Sequence, residues 1–397
     1  MNRRHFSKIL ASLALSGTSN IDSTILKEKI TIIGGGILGL SIGYQLSKAG
    51  AEVTLIEKDF LGSHASGSSF SWINASYDKT PLSYNTLAQL GIRAYHQLQK
   101  ELNLDIKWGG SLEWFKSEKN SKRLINNVRL LQSYQDPLAI QIINHDQASE
   151  LEHFANFQHS QTIAYSIHEG AMNTVSTIKK FSEGIKNNGG KIIFPAEFKE
   201  LVYKGNTLNS IKTSVGEIKT NQVIFACGTN TDNILNSKMM RPSTPGIILR
   251  TKPIKPIINR VIVAPGIHIH QQNNGRLIIG EQRGPGIQHD ERLIKKPKKF
   301  PNRDFEKMHQ NRILTIAKEI IPELNNLEVE KTTIGWRPLP KDGKPIVGPI
   351  QKLPGVYLTV MHSGISLAGI MGQLVKEEIL EARTNKLLED FRPSRFT

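Results

Sequence analysis

The chain has 397 residues, 38% hydrophobic and 22% charged, with 51 Lys+Arg against 35 Asp+Glu for a net charge of +16. That length supports a large core and two domains. No apolar run approaches the ~18 residues that span a bilayer, and the single cysteine, Cys227, excludes an intrachain disulfide and a multi-cysteine zinc site. The basic residues are scattered, which describes a basic solvated surface. The densest run, Arg292 to Lys299, reads as an exposed loop without the aromatic–basic pattern of a nucleic-acid module, so no nucleic-acid partner is expected.

Residues 1–27 form a leader and linker. Arg3-Arg4-x-Phe6-x-Lys8 followed by the apolar Ile9 to Leu15 has the shape of a twin-arginine export signal, although no clean A-x-A cleavage site follows. This predicts a periplasmic or membrane-associated protein, with peripheral membrane contact. The alternative is a basic N-terminus on a cytoplasmic protein.

Lys29 to Lys58 is the organising stretch. Ile30 to Ile33 is a short β-branched run, which predicts a buried strand. Gly34-Gly35-Gly36-Ile37-Leu38-Gly39 fits G-x-G-x-x-G, a helix follows to Lys48, and Val53 to Ile56 is a second strand ending at Glu57, beside Lys58. In this context Gly34 permits the tight turn, Gly36 lets the backbone approach a pyrophosphate, and Gly39 lets the helix lie close to the strand. The helix start, with Ile37 and Leu38, offers free N–H groups to that pyrophosphate, and Glu57 can accept hydrogen bonds from ribose hydroxyls. The stretch predicts a dinucleotide site and leaves NAD or FAD open.

A plain NAD-dependent dehydrogenase would continue with helix–strand repeats. This chain enters Gly62-Ser63-His64-Ala65-Ser66-Gly67-Ser68-Ser69 and then Phe70 to Ser76. These segments, together with the first motif, resemble the FAD-dependent amine and amino-acid oxidoreductases, which include glycine oxidase, sarcosine oxidase and D-amino-acid dehydrogenases. The resemblance places Ala65, Ser66, Ser68 and Ser69 along the flavin. The residues around His64 do not match the attachment motif of relatives with covalent histidyl-flavin, so non-covalent FAD is expected.

Further along, the pattern predicts helices over Pro81–Leu104, Glu118–Ser133 and Val175–Asn187, with Trp108–Phe115 one strand with its turn and Ile163–Met172 leading into a helix. Short strands follow from Lys191 to Lys219, and Val223 to Gly228 is a buried strand ending in glycine. By resemblance, Phe198 meets the adenine through its backbone, Gly228 closes over the dinucleotide, and Cys227 is a small core residue. Ile247–Arg283 is strand-rich. His268 and His270 alternate onto one strand face. No acid or third histidine stands at a helpful spacing, so that face suits a substrate cavity better than a metal, and no metal site is expected.

Gly335-Trp336-Arg337-Pro338 through Asp342-Gly343-Lys344-Pro345-Ile346-Val347-Gly348 resembles the family's G-x-R-P…D-G-x-P-x-x-G block. Val356–Val360 is a strand, and Met361 to Leu367 turns into a closing helix. Met361 stands where the family usually has glycine. The resemblance implies that Arg337 holds a substrate carboxylate and that Gly335 and Arg337 also border the cofactor. It also implies that Ser363, Gly364 and Ile365 present N–H groups to the reduced flavin, with His362 assisting or packing the turn. Glycine-oxidase-like members carry a second carboxylate-contacting arginine after the histidine, and here that position is Gly364.

The expected fold class is α/β, α+β overall: a Rossmann-type FAD/NAD(P)-binding domain with an antiparallel-sheet substrate domain. Residues 28–80, 150–232 and 333–397 are assigned to a discontinuous FAD-binding domain, and 81–149 and 233–332 to the substrate domain. The expected activity is FAD-dependent oxidation of the C–N bond of a small amino acid or secondary amine, with oxygen or a quinone or other electron-transfer partner as acceptor. A tRNA-modifying flavoprotein of the same family and a non-catalytic flavin- or partner-binding protein are the other readings.

Overall fold

Five parallel strands and one antiparallel edge strand form the sheet that carries the N-terminal motif. A computed structural model describes residues 28–157, 160–243, 245–281, 297 and 299–396. The sheet runs, in spatial order, Ile346–Pro349, Val356–Val360, Gln222–Phe225, Lys29–Ile33, Glu52–Ile56 and Lys191–Ile193. Only Ile346–Pro349 is antiparallel to its neighbour. Both faces of the sheet are covered, which explains the near-continuous apolar runs of its strands. Ile30, Ile32, Val53 and Leu55 face helices, whereas Val223, Phe225, Val356 and Leu358 face a three-stranded meander over residues 198–219.

The helical layer is close-packed at small residues. Helices Ile37–Lys48 and Gly364–Leu380 approach until a Cβ added at Gly372 would stand 2.7 Å from Ser41 Oγ, and that hydroxyl donates to the Ala368 carbonyl at 2.6 Å. Helix Leu82–Leu102 packs on the same closing helix. A Cβ at its Gly91 would meet the Ser366 carbonyl at 2.3 Å, and Tyr95 donates to the Ile365 carbonyl at 2.6 Å.

The second sheet has eight strands, in the order Val329–Trp336, Pro245–Thr251, Leu277–Glu281, Ile267–Gln271, Val261–Ala264, Ser111–Glu113, Ile163–Ser166 and Ile140–Ile143. It is antiparallel except where Val261–Ala264 meets Ser111–Glu113. Helix Arg303–Ile320 buries Ile313, Ala317 and Ile320 against it.

Several expectations change. Trp108–Phe115 is not one strand: Ile106–Trp108 and Ser111–Glu113 belong to different sheets, divided at Gly109-Gly110. Ile163–Met172 leads into helix Thr174–Asn187 as expected, through two strands, Ile163–Ser166 and Gly170–Met172, that join different sheets. The domain limits move with these strands. Helix Leu82–Leu102, assigned to the substrate domain as part of 81–149, joins the core of the parallel sheet. Ile163–Ser166 and the end of Val329–Trp336, assigned to the FAD-binding domain, pair in the second sheet. The twin-arginine-like leader in 1–27 lies outside the described residues. So do Arg283 and nearly all of the basic run Arg292–Lys299.

Candidate active site

The carboxyl ends of the parallel strands and the inner side of the second sheet enclose a cleft of about 610 Å³. In open parallel sheets ligands bind at this end of the strands. Of the residues singled out from the sequence as site residues, all but Gly39 line this cleft. Gly39 acts one layer back. A Cβ there would stand 2.1 Å from the Gly34 carbonyl, so its absence allows helix Ile37–Lys48 to rest on the turn. Gly34 has φ +118° and sits where a Cβ would be 2.4 Å from the Ala226 carbonyl, so only glycine fits.

Glu57 holds this turn from inside. Its two carboxylate oxygens accept from the Gly35 N–H at 2.8 Å and the Asp59 N–H at 2.9 Å. Each oxygen keeps a further lone pair for a ribose hydroxyl. Ser66 Oγ accepts from the Ile37 N–H at 3.0 Å, tying the serine loop to the helix start. Phe198 packs edge-on against Phe225, with ring centroids 5.2 Å apart. The Cys227 thiol donates to the Ile33 carbonyl at 3.2 Å. Burial and the Glu57 charge push its pKa up to about 12, so it stays a protonated wall residue. His64 pairs with Asp59 at 2.8 Å.

The other end of the cleft is assembled from distant segments. Gly335 lets its strand approach the serine loop, since a Cβ there would be 2.7 Å from the Ser68 carbonyl. Two residues on, the half-buried Arg337 donates from Nη1 to the Pro245 carbonyl and lies against Gly246, where a Cβ would be 3.0 Å from Nη2. Its own carbonyl accepts from Ser243 Oγ at 2.7 Å. Burial lowers the Arg337 pKa, and Glu281 opposes that shift.

His268 lines the cleft with a buried Nε2 that has no partner among the described residues. Burial and Arg337 pull its pKa down to about 4. His270, on the same strand face, is set back under Phe70 and donates from Nε2 to the Phe70 carbonyl at 2.8 Å. His362 is open to the cleft and enclosed by protein on its other sides. That enclosure and the charges of Arg337, Arg241 and Lys79 lower its pKa to about 4. Both cleft histidines are therefore neutral at pH 7.

Tyr77 and Lys79 also line this end, and the sequence pattern does not mark them. They follow a turn built on the fully buried Glu169, whose carboxylate accepts from the N–H groups of Ala75 and Ser76 and from Ser111 Oγ, each at 2.7 Å. Tyr77 donates to Glu113 at 3.2 Å.

Residues 29–378 match the family model described as FAD dependent oxidoreductase. The chain belongs to that family. Glycine oxidase from Bacillus subtilis (strain 168) is 23% identical over 371 residues, covering 89% of this chain and 94% of the relative. Among solved structures, L-proline dehydrogenase from P. horikoshii superposes with a TM-score of 0.79 at 24% identity, covering 93% of this chain and 98% of the other. Glycine oxidase from Geobacillus kaustophilus gives 0.79 at 19% identity, covering 94% and 99%. The cleft of this FAD-dependent oxidoreductase suits its cofactor. Two helices, starting after Gly36 and Ser363, open onto it; neither is capped by its own N-cap residue, Ser66 takes only the Ile37 N–H of the first, and the buried Thr359 hydroxyl on its wall has no partner among the described residues. Such helix starts hold anionic or electron-rich groups. The Gly34–Glu57 turn would hold the adenosine diphosphate part and the Ser363–Ile365 turn the ring system.

Proposed function

We propose that this enzyme oxidises the C–N bond of a small amino acid or secondary amine to an imine, which water hydrolyses. The placement of Arg337 carries the reading: a half-buried guanidinium, steadied by the Pro245 carbonyl, lines the same cleft as the Gly34–Glu57 turn. A planar guanidinium binds a carboxylate bidentately and so fixes the orientation of the carbon beside it. FAD, when bound, supplies the two-electron acceptor.

The remaining wall sets protonation states. Arg337 and Lys79 line this end, and the lining carboxylate of Glu281 is paired with Arg312 at 2.6 Å, so the balance is cationic, which favours a bound carboxylate and disfavours a bound ammonium. The substrate amine is thereby held in its neutral form, with its lone pair available as the C–H bond breaks. Neutral His268 and His362 add polar contacts without adding charge. The start of helix Gly364–Leu380 opens onto the cleft, and its partial positive charge would favour the negative charge that bound FAD gains on reduction.

The test is anaerobic bleaching of the purified yellow protein by glycine, sarcosine, proline, other N-alkyl amino acids and D-amino acids. Bleaching by at least one of them is expected, and reoxidation by air or by a quinone would then name the acceptor. Retention of full flavin colour with every amine would overturn the reading.

A further inference from the structure

Lys79 carries a charge that the surrounding chain leaves unanswered. Its Nζ is buried without a hydrogen-bond partner among the described residues, and the residue lines the cleft. The backbone on either side of that side chain is held firmly. The Lys79 N–H donates to Asn85 Oδ1 at 2.9 Å, and its carbonyl accepts from Asn85 Nδ2. The ammonium stands 5.6 Å from the ring centroid of Tyr84, whose hydroxyl meets Ser363 Oγ at 2.8 Å. Lys79 therefore belongs to the His362 end of the cleft.

The neighbouring acids are committed elsewhere. Glu169 is bonded to Ala75, Ser76 and Ser111, and Asp78 accepts from Tyr134 at 2.7 Å. A buried ammonium without a direct partner is destabilising, and an arriving anion relieves it. Burial lowers the Lys79 pKa to about 8, with Glu169 and Asp78 opposing the shift, which leaves it mostly charged at pH 7. On the cofactor side, the helix starts after Gly36 and Ser363 would take the negative groups of the FAD. At Gly364, where glycine-oxidase-like relatives place an arginine, an added Cβ would meet nothing within 4 Å, so the wall there is open.

We propose that Lys79 binds a second acidic group of the substrate, so that the amine oxidised here carries two acids, a carboxylate on Arg337 and a further anion on Lys79. This rests on the amine-oxidation reading above. It names the substrate class as amino acids with an acidic side chain or an acidic N-substituent.

Two matched pairs test it on the FAD-loaded enzyme. Iminodiacetate and sarcosine are both secondary amines and differ by one carboxylate. Their half-saturating concentrations are compared by anaerobic flavin bleaching. Thiodiacetate and methylthioacetate are sulfur isosteres that cannot form an imine, and their dissociation constants are read from the flavin spectrum. The wild type should favour the diacid in each pair by about 10-fold or more, the scale of one charge-assisted hydrogen bond. Lys79→Met should erase that preference and Lys79→Arg should retain part of it.

Equal binding of thiodiacetate and methylthioacetate by the wild type would overturn the proposal. So would a Lys79→Met variant that weakens both members of a pair equally, since Lys79 would then serve the one shared carboxylate. A Lys79→Met variant with a shifted flavin midpoint potential and an intact diacid preference would assign Lys79 to the cofactor and also overturn it. Failure of every amine to bleach the flavin, with thiodiacetate still bound through Lys79, would remove the amine-oxidation reading and leave the two-anion site standing.

Discussion

The two ends of the cleft satisfy their polar groups in opposite ways. At the Gly34 end the chain answers itself: Glu57 takes the N–H groups of Gly35 and Asp59, the Ile37 N–H meets Ser66, and the Cys227 thiol meets the Ile33 carbonyl. At the Lys79 end, Trp72 Nε1, Lys79 Nζ and His268 Nε2 are buried without partners among the described residues. Buried polar groups are normally paired, and three unpartnered ones on one cleft wall suit a ligand that completes them. The first end is a cradle formed in advance. The second is a charged chamber whose stability and selectivity depend on what enters it.

Substitutions at the two ends should therefore fail differently. The largest effect is expected at the cradle. Gly39→Val places a side chain where even a Cβ would be 2.1 Å from the Gly34 carbonyl, and backbone cannot yield there as a flexible side chain can. Overpacking of this kind costs about 1–3 kcal/mol or more, so the variant should purify without flavin absorbance and with a lowered melting temperature. A yellow variant of normal stability would show that the cradle tolerates a wider turn. At the chamber, Arg337→Ala should keep its flavin and raise the half-saturating substrate concentration by about 10²-fold, equivalent to ~3 kcal/mol for a lost charged hydrogen-bond pair. An unchanged half-saturating concentration would reduce Arg337 to a packing residue on Gly246.

The same contrast decides what the sequence makes legible. The cradle is written in one continuous stretch, because each of its requirements is a local backbone requirement: Gly34 for a positive φ, Gly39 for contact with the turn, Glu57 at the end of the next strand. The Gly335–Arg337 block is equally compact and can be read directly. The chamber is different. Lys79 lies in an unpatterned Tyr77-Asp78-Lys79 segment, and its significance arises only when Glu169 folds the preceding turn and Ser363 brings up the closing helix. The stretches around Trp108–Phe115 and Ile163–Met172 misled for a related reason. The first reads as one strand with its turn and the second only as a lead into a helix, yet in both the chain changes sheets partway, at Gly109-Gly110 and at Ile167–Glu169, and no local pattern tells which sheet a three-residue strand will join. His268 and His270 were indistinguishable by alternation. Phe70, from another segment, packs on both rings, but its carbonyl accepts from His270 Nε2, while His268 is left lining the cleft.

The smallest effect on turnover, and the finest test of the contrast, lies at Glu113. This carboxyl is buried beneath Tyr77 on the chamber side, and burial is the main reason its pKa rises from 4.5 to about 8, with Glu169 adding to the rise and the Tyr77 hydrogen bond opposing it. The folded protein therefore keeps Glu113 protonated over a range in which the unfolded chain has released the proton. Where the folded state binds more protons, stability falls as pH rises. The contribution is most favourable below about pH 4.5, declines between 4.5 and about 8, and is level above that. Glu113→Gln keeps an acceptor for the Tyr77 hydroxyl and removes the titration. Its melting temperature, relative to the wild type, should climb as pH is raised from 5 to 8, while the preference between paired substrates is unchanged. Parallel melting curves for the two proteins across that range would mean that Glu113 is already ionised in the folded state. The chamber would then hold a buried negative charge beside its cations, and the cationic character assigned to it would have to be given up.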